Sequence, residues 1–183
     1  MKISHDRELA AVSVERARTR SVLAGLGFAL ACYGVAALGT LTMRGRGSPN
    51  RWWFRSLRKP SFQPPDRVFA PVWTILYGTI AYSGWRIWKR PPSRRRSAAL
   101  GLWAAQLVLN GAWTPLFFGA RRPRAALVDL IALDVAASAY TASAARIDRM
   151  ASLAFVPYLG WLGFATVLNA KIVAKNPNAL LAT

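Results

Sequence analysis

Residues 97–120, SAALGLWAAQLVLNGAWTPLFFGA, run for 24 positions without a charged side chain. At about 1.5 Å per residue, a helix of this length crosses a hydrocarbon core of about 30 Å. Wound at about 100° per residue, the stretch has two unlike faces. Trp103, Gln106, Asn110, Trp113 and Phe117 share one face, and Gly101, Ala105, Val108, Ala112 and Leu116 share the other. An unpaired amide in lipid costs several kcal/mol, so the face with Gln106 and Asn110 should turn inward. The small residues opposite permit close approach of another helix. Two roles fit the amides, tying helices together or meeting a ligand, and both stay open from this pattern.

The same reading extends in both directions. Ser21–Met43 and Met150–Ala170 are charge-free runs of 23 and 21 residues. Val68–Trp85 is apolar and aromatic, and Ala125–Ala145 is apolar apart from Asp129 and Asp134. The expectation is an all-α membrane protein, a bundle of five transmembrane helices over residues 21–176. A basic tail, residues 1–20, precedes it and a short C-terminal tail, 177–183, follows. The first 20 residues mix Asp6, Glu8 and Glu15 with Lys2, Arg7, Arg16, Arg18 and Arg20, unlike the short basic start of a signal peptide. They read as a solvated tail ahead of a retained first span.

Composition alone points two ways. Of 183 residues 54% are hydrophobic and only 17% charged, with mean hydropathy +0.22, yet the net charge is +18. Such basicity suits a nucleic-acid binder until the charges are placed. They fall in the tail and loops, and no basic helix or aromatic-basic sheet pattern remains. The run Arg94-Arg95-Arg96 is expected to meet lipid headgroups, so the partner is membrane lipid and not nucleic acid. Lys and Arg divide thirteen against twelve between the two sides of a five-span topology, so charge asymmetry assigns no orientation.

Several chemistries lack their residues. The one histidine, His5, lies in the tail, and the one cysteine, Cys32, lies within the first span. Neither a zinc site nor a His-activated nucleophile can be assembled, no intrachain disulfide is possible, and no glycine-rich phosphate loop appears. Catalytic and metal-binding residues are therefore expected to be none, which disfavours hydrolase, kinase and metalloenzyme readings. Asp129 has Arg124 within about a turn as an ion-pair partner, or it snorkels. Asp134, nearer mid-span, is either a buried hydrogen-bond partner or a proton-linked group.

The segment between the first two spans is unlike the others. It reads Arg51-Trp52-Trp53-Phe54-Arg55-Ser56-Leu57-Arg58-Lys59-Pro60-Ser61-Phe62-Gln63-Pro64-Pro65. Its prolines fix φ and remove backbone donors, which predicts an extended or turned loop without regular helix. The aromatics fit an interfacial belt or a lid over a cavity. Prolines spaced among aromatics and Lys59 favour the lid.

Together with Val68-Phe69-Ala70-Pro71-Val72-Trp73-Thr74-Ile75-Leu76-Tyr77, this loop resembles the tryptophan-rich sensory protein family, also called the translocator protein or peripheral benzodiazepine receptor family (TspO/MBR). Further blocks follow in the family's order, with Gln106-Leu107, Leu109-Asn110, Trp113 and Phe117-Phe118-Gly119, then Pro157-Tyr158-Leu159, Trp161, Phe164-Ala165 and Leu168-Asn169. The resemblance covers residues 21–176. It implies five membrane helices that bind tetrapyrroles, sterols and synthetic benzodiazepine-type ligands. Implied roles are transport, stress sensing and light-dependent porphyrin breakdown. The implied ligand contacts are Trp73, Tyr77, Asn110, Trp113, Trp161 and Ala165, with Asn110 bonding a ligand carbonyl or carboxylate. The implied lid is Trp53, Lys59, Pro60, Phe62, Pro64 and Pro65. The expected ligand is a porphyrin or haem-type tetrapyrrole, with sterol as a second class and no obligatory cofactor. A His-ligated haem is not expected, because His5 lies outside the bundle. The resemblance leaves porphyrin photo-oxidation as an alternative to binding, and an oligomeric regulator without turnover as another. A homodimer through the small-residue face of the third span, in the cell membrane, completes the expectation. Two departures stand out. Ser61 and Arg67 replace aromatics common in relatives, Arg67 being able to pair a propionate. Ala170 replaces the tyrosine of the proposed sterol motif that ends at Lys171.

Overall fold

The computed structural model describes residues 2–41 and 49–177, with side chains from residue 12 onward except that of residue 13. All regular structure among these residues is helical: α1 (Lys2–Leu41), α2 (Pro49–Ser56), α3 (Asp66–Trp88), α4 (Arg94–Thr114), a π-helical turn (Pro115–Gly119), α5 (Pro123–Ala145) and α6 (Arg149–Lys175). The expected all-α class holds. Three of these helices are long and apolar enough to cross a membrane: α1 from Val14 to Leu41, α5 and α6. α3 and α4 have 23 and 21 residues, but terminal arginines and inward tryptophan, tyrosine and amide side chains lower their hydropathy.

Two local expectations change. The helix of the first span does not start at residue 21; α1 runs through the basic tail from Lys2 without a break. Nothing between Lys2 and Ser21 is Gly or Pro, so no residue there opposes helix. The aromatic loop is also not devoid of helix, since Pro49–Ser56 forms α2. Its proline sits at the first helical position, where a missing N–H breaks no bond. Pro60, Pro64 and Pro65 confine the irregular backbone to the residues after Ser56.

The two faces read for residues 97–120 take the expected directions. Trp103, Gln106 and Asn110 are buried, whereas Gly101, Ala105 and Val108 are exposed. Pro115 has no N–H to continue the α-helical ladder. The chain widens there into the π-turn, which Ala120 N–H closes onto Pro115 O at 2.7 Å. The turn sets Phe117 and Phe118 beside each other, with ring centres 4.8 Å apart.

α1, α3 and α4 meet at Gly84. The Trp103 indole lies over it, donating from Nε1 to Ile80 O at 2.9 Å, and Phe28 packs edge-on to that indole at 4.7 Å. A Cβ at position 84 would stand 2.6 Å from Trp103 Nε1 and 2.8 Å from Phe28 Cδ1. At the same end, Ser83 Oγ donates to Ala151 O at 2.7 Å and is paired with the Tyr140 hydroxyl at 2.7 Å. That contact joins α3, α5 and α6. Further along the α5–α6 seam, Thr166 Oγ1 donates to Asp134 Oδ2 at 2.6 Å, giving that carboxylate a structural partner. Asp129 forms no ion pair with Arg124, and its Oδ2 is buried without a hydrogen-bond partner.

Asp148 closes the α5–α6 turn. It caps α6 by accepting from Ala151 N–H at 3.1 Å, and it accepts from Arg86 at 3.0 Å and Arg90 at 2.6 Å. Burial opposes its charge, but the hydrogen bonds from Arg90, Arg86 and Ala151 outweigh that and hold the carboxyl near pKa 2. Because this lies below the ordinary 3.8, the stabilisation is complete above about pH 4 and is lost as pH falls towards 2.

Two outcomes are expected in detergent-solubilised protein. Asp148→Asn keeps the cap but loses the ion pairs, lowering stability by about 2 kcal/mol at pH 7, Arg90 being partly exposed and screened. The gap to wild type should narrow between pH 4 and pH 2 in thermal melts; a gap independent of pH would refute the assignment. Gly84→Ala should destabilise by about 1–3 kcal/mol through overpacking, whereas Gly101→Ala, which meets open space, should change little.

Candidate ligand site beneath the aromatic loop

Asn110 stands at the centre of the site. It projects from the inward face of α4, 6% exposed, and its amide is shared by two tyrosines. The Tyr77 hydroxyl on α3 donates to Asn110 Oδ1 at 2.7 Å, and Asn110 Nδ2 donates to the Tyr158 hydroxyl on α6 at 2.8 Å. The amide expected to meet a ligand therefore first ties three helices together. Its capacity is not exhausted, since Nδ2 carries a second hydrogen and the Tyr158 hydroxyl keeps its own proton. Cys32 on α1 is fully buried in the same core cluster as Tyr77 and Tyr158, as a packing residue.

An aromatic wall rises from this hub towards the loop. Trp73 lies 5.1 Å from Tyr77, 6.3 Å from Tyr158 and 6.4 Å from Trp161, centre to centre. Trp161 in turn meets Phe69 at 5.8 Å and Phe164 at 5.3 Å, and Phe164 meets Phe62 of the loop at 6.3 Å. Rings thus follow one another from the loop to the amide hub. Spacing makes this possible, because Trp73 and Tyr77 are one turn apart on α3, as are Trp161 and Ala165 on α6. Ala165 packs against the same core cluster.

A second seam holds the other half of the loop. Trp53 and Phe54 pack edge-on to Phe117 at 5.8 and 6.1 Å, and Phe54 also meets Phe118 at 5.2 Å. Trp113 stacks on Phe117 at 5.0 Å and leaves its buried Nε1 without a hydrogen-bond partner. Leu57 is buried with Phe117, Ala126, Leu168 and Ile172. Lys59 places its ammonium 4.2 Å above the Phe54 ring. Pro60 is buried and its carbonyl accepts from Gln63 N–H at 3.2 Å, while Pro64 is half-buried and Pro65 precedes α3.

The structure therefore joins Trp73, Tyr77, Asn110 and Trp161 through direct contacts and places Trp113 between the hub and the loop seam. It adds two residues that the sequence reading did not assign to the site. Tyr158 completes the amide hub; its place three residues before Trp161 on one helical face was the available signal. Asn176, just past α6, holds the loop. Its Oδ1 accepts from Arg58 N–H at 2.9 Å, and its Nδ2 donates to Arg58 O at 2.9 Å and Ile172 O at 2.8 Å. An asparagine closing a helix is a local signal, but its reach across 118 residues is not written locally.

Among the described residues no group of histidine, cysteine and carboxylates is placed to hold a metal. The arrangement offers aromatic faces and a few hydrogen-bonding groups, which is recognition chemistry for an apolar ligand.

Comparison with known proteins agrees with the expectation drawn from the motifs. The chain is 40% identical over 153 residues to the human translocator protein, a match spanning 82% of this chain and 89% of the relative. It is 39% identical over 136 residues to the tryptophan-rich protein TspO of Chlorobaculum tepidum, covering 70% and 82%. With protein CrtK of Rhodobacter capsulatus the identity is 35% over 127 residues, covering 68% and 79%. The family model matches residues 28–174, and with three long apolar helices the chain is an integral membrane protein that belongs to the TspO/MBR family.

Proposed function

We propose that all five long helices cross the membrane and that the protein binds a flat tetrapyrrole, a porphyrin, as a sensor or translocator. The observation that carries this reading is the ladder of rings from Phe62 through Trp161 and Trp73 to the Tyr77–Asn110–Tyr158 hub. Indole and phenol faces offer stacking and burial to a large planar ring system. The remaining hydrogens of Asn110 and Tyr158 offer donors to a carbonyl or carboxylate. Trp53, Lys59, Pro60, Phe62, Pro64 and Pro65 act as the lid. Sterol is a second ligand class, weakened by Ala170 where the sterol motif calls for tyrosine.

The adjacency of Trp73, Tyr77 and Trp161 also favours a second reading, light-driven porphyrin oxidation with these side chains as electron donors. The exposed face of α4 carrying Gly101, Ala105 and Val108 supports a homodimer, and the cell membrane is the proposed residence.

Protoporphyrin added to purified protein in detergent should quench tryptophan fluorescence. Trp73→Ala with Trp161→Ala should weaken binding by at least about tenfold, a loss of roughly 1.4 kcal/mol or more. Unchanged affinity in that double variant sinks the pocket assignment. The same titration under illumination separates the readings: stoichiometric binding without product leaves a binder, and product formation lost in the double variant indicates turnover. For the dimer, Gly101→Leu should shift the detergent-solubilised protein to monomer without changing porphyrin affinity.

A further inference from the structure

We propose that Asn176 is a positioning residue that latches the aromatic loop onto the end of α6, and that release of this latch sets how fast ligand enters and leaves the site. The kinetic half rests on the ligand reading above; the latch itself does not.

The geometry of the latch is specific to an amide. The Asn176 side chain lies in a residue only 7% exposed and is engaged at both ends. Oδ1 accepts from the Arg58 N–H, while the two hydrogens of Nδ2 go to Arg58 O and Ile172 O. Both backbone groups of Arg58 are thus taken by one side chain, as a neighbouring strand would take them. Aspartate at this position would keep the acceptor and lose both donors, and leucine would keep the shape and lose everything polar.

Position makes the latch consequential. Arg58 follows Leu57, which is anchored in the seam with Phe117 and Ile172, and it precedes the turn in which Gln63 N–H bonds Pro60 O. The bond therefore grips the loop where its helical part ends and its proline-rich part begins. Asn176 follows α6, the helix that carries Tyr158, Trp161 and Ala165. Loop and site wall are consequently fixed to the same element. The remaining loop contacts named above are different in kind. Edge-on rings at 5.8–6.3 Å and an ammonium over a ring tolerate sliding, because their attraction is broad in distance and angle. Hydrogen bonds at 2.8–2.9 Å do not; they hold or break. A loop secured by adaptable rings and one directional clamp opens when the clamp releases.

The test compares wild type with Asn176→Leu in the full-length, detergent-solubilised protein, using protoporphyrin as probe. Hydrogen exchange in the segment 57–63 should become about tenfold faster in the variant, with thermal stability otherwise close to wild type. Stopped-flow fluorescence should show association and dissociation rates both raised about tenfold, with the equilibrium constant changing far less, as expected when a barrier falls and the bound state is unaltered. Unchanged exchange overturns the latch. Faster exchange with unchanged porphyrin rates overturns the gating. If wild-type protein takes up no porphyrin, the ligand reading and the gating fall together, and the exchange measurement still decides the latch. Should Asn176→Leu not fold, Asn176→Asp removes the two donors and is read in the same way.

Discussion

A buried amide that must find partners within the protein organises this bundle. Water is absent from the hydrocarbon core, so Asn110 can be tolerated only where other side chains complete its hydrogen bonds. Tyr77 and Tyr158 do so from two other helices. Once these three residues are fixed, the positions one turn away on α3 and on the same face of α6 are fixed as well, and those positions hold Trp73 and Trp161. The aromatic wall is thus a geometric consequence of satisfying one polar side chain. A bundle held by apolar packing alone would have no comparable reference point, because lipid competes for apolar surface almost as well as a neighbouring helix does.

The two ends of the molecule are secured by different chemistry. At the α5–α6 turn, Asp148 gathers Arg86, Arg90 and the first amides of α6, and Ser83 with Tyr140 closes α3 onto α5 and α6. These are directional contacts in a region where the packing is also tight, as the approach of Trp103 and Phe28 to Gly84 shows. At the loop end, contacts are mainly between rings. Trp113 belongs to both hydrophobic clusters and links the hub to the loop seam. The result is a bundle with one stiff end and one adaptable end, and the aromatic wall runs towards the adaptable one.

Much of this was legible in the residues, and the reasons are local. The charge-free runs and the two-faced pattern of residues 97–120 identify helices and direct Trp103, Gln106 and Asn110 inward, because the cost of an amide in lipid is a property of that residue alone. The ring positions follow from helical spacing on each element. What was not legible depends on two distant segments meeting. Neither the Asn176–Arg58 clamp nor the pairing of Asp134 with Thr166 is implied by any spacing within one helix. The short helix α2 was missed for another reason. Prolines at 60, 64 and 65 were allowed to speak for the whole segment, while Pro49, at a helix start, favours the opposite conformation.

The unbroken α1 gives the charge distribution a different meaning as well. Arginines 16, 18 and 20 stand on the same rigid helix as the first span, and Trp85 Nε1 donates to Ser21 O at 2.8 Å. That bond sets residue 21 level with the final turn of α3, where Lys89 lies 3.5 Å from the Trp85 ring centre. The basic residues of the tail are therefore carried outward from the level of the Trp85–Lys89 pair by a continuous helix. A tryptophan flanked by cations is the arrangement expected where a span leaves hydrocarbon for headgroups. The +18 net charge is best understood at that boundary: it accumulates beyond the apolar lengths of the helices, and the near-equal division between the two sides means that both faces of the bundle are suited to an anionic membrane surface.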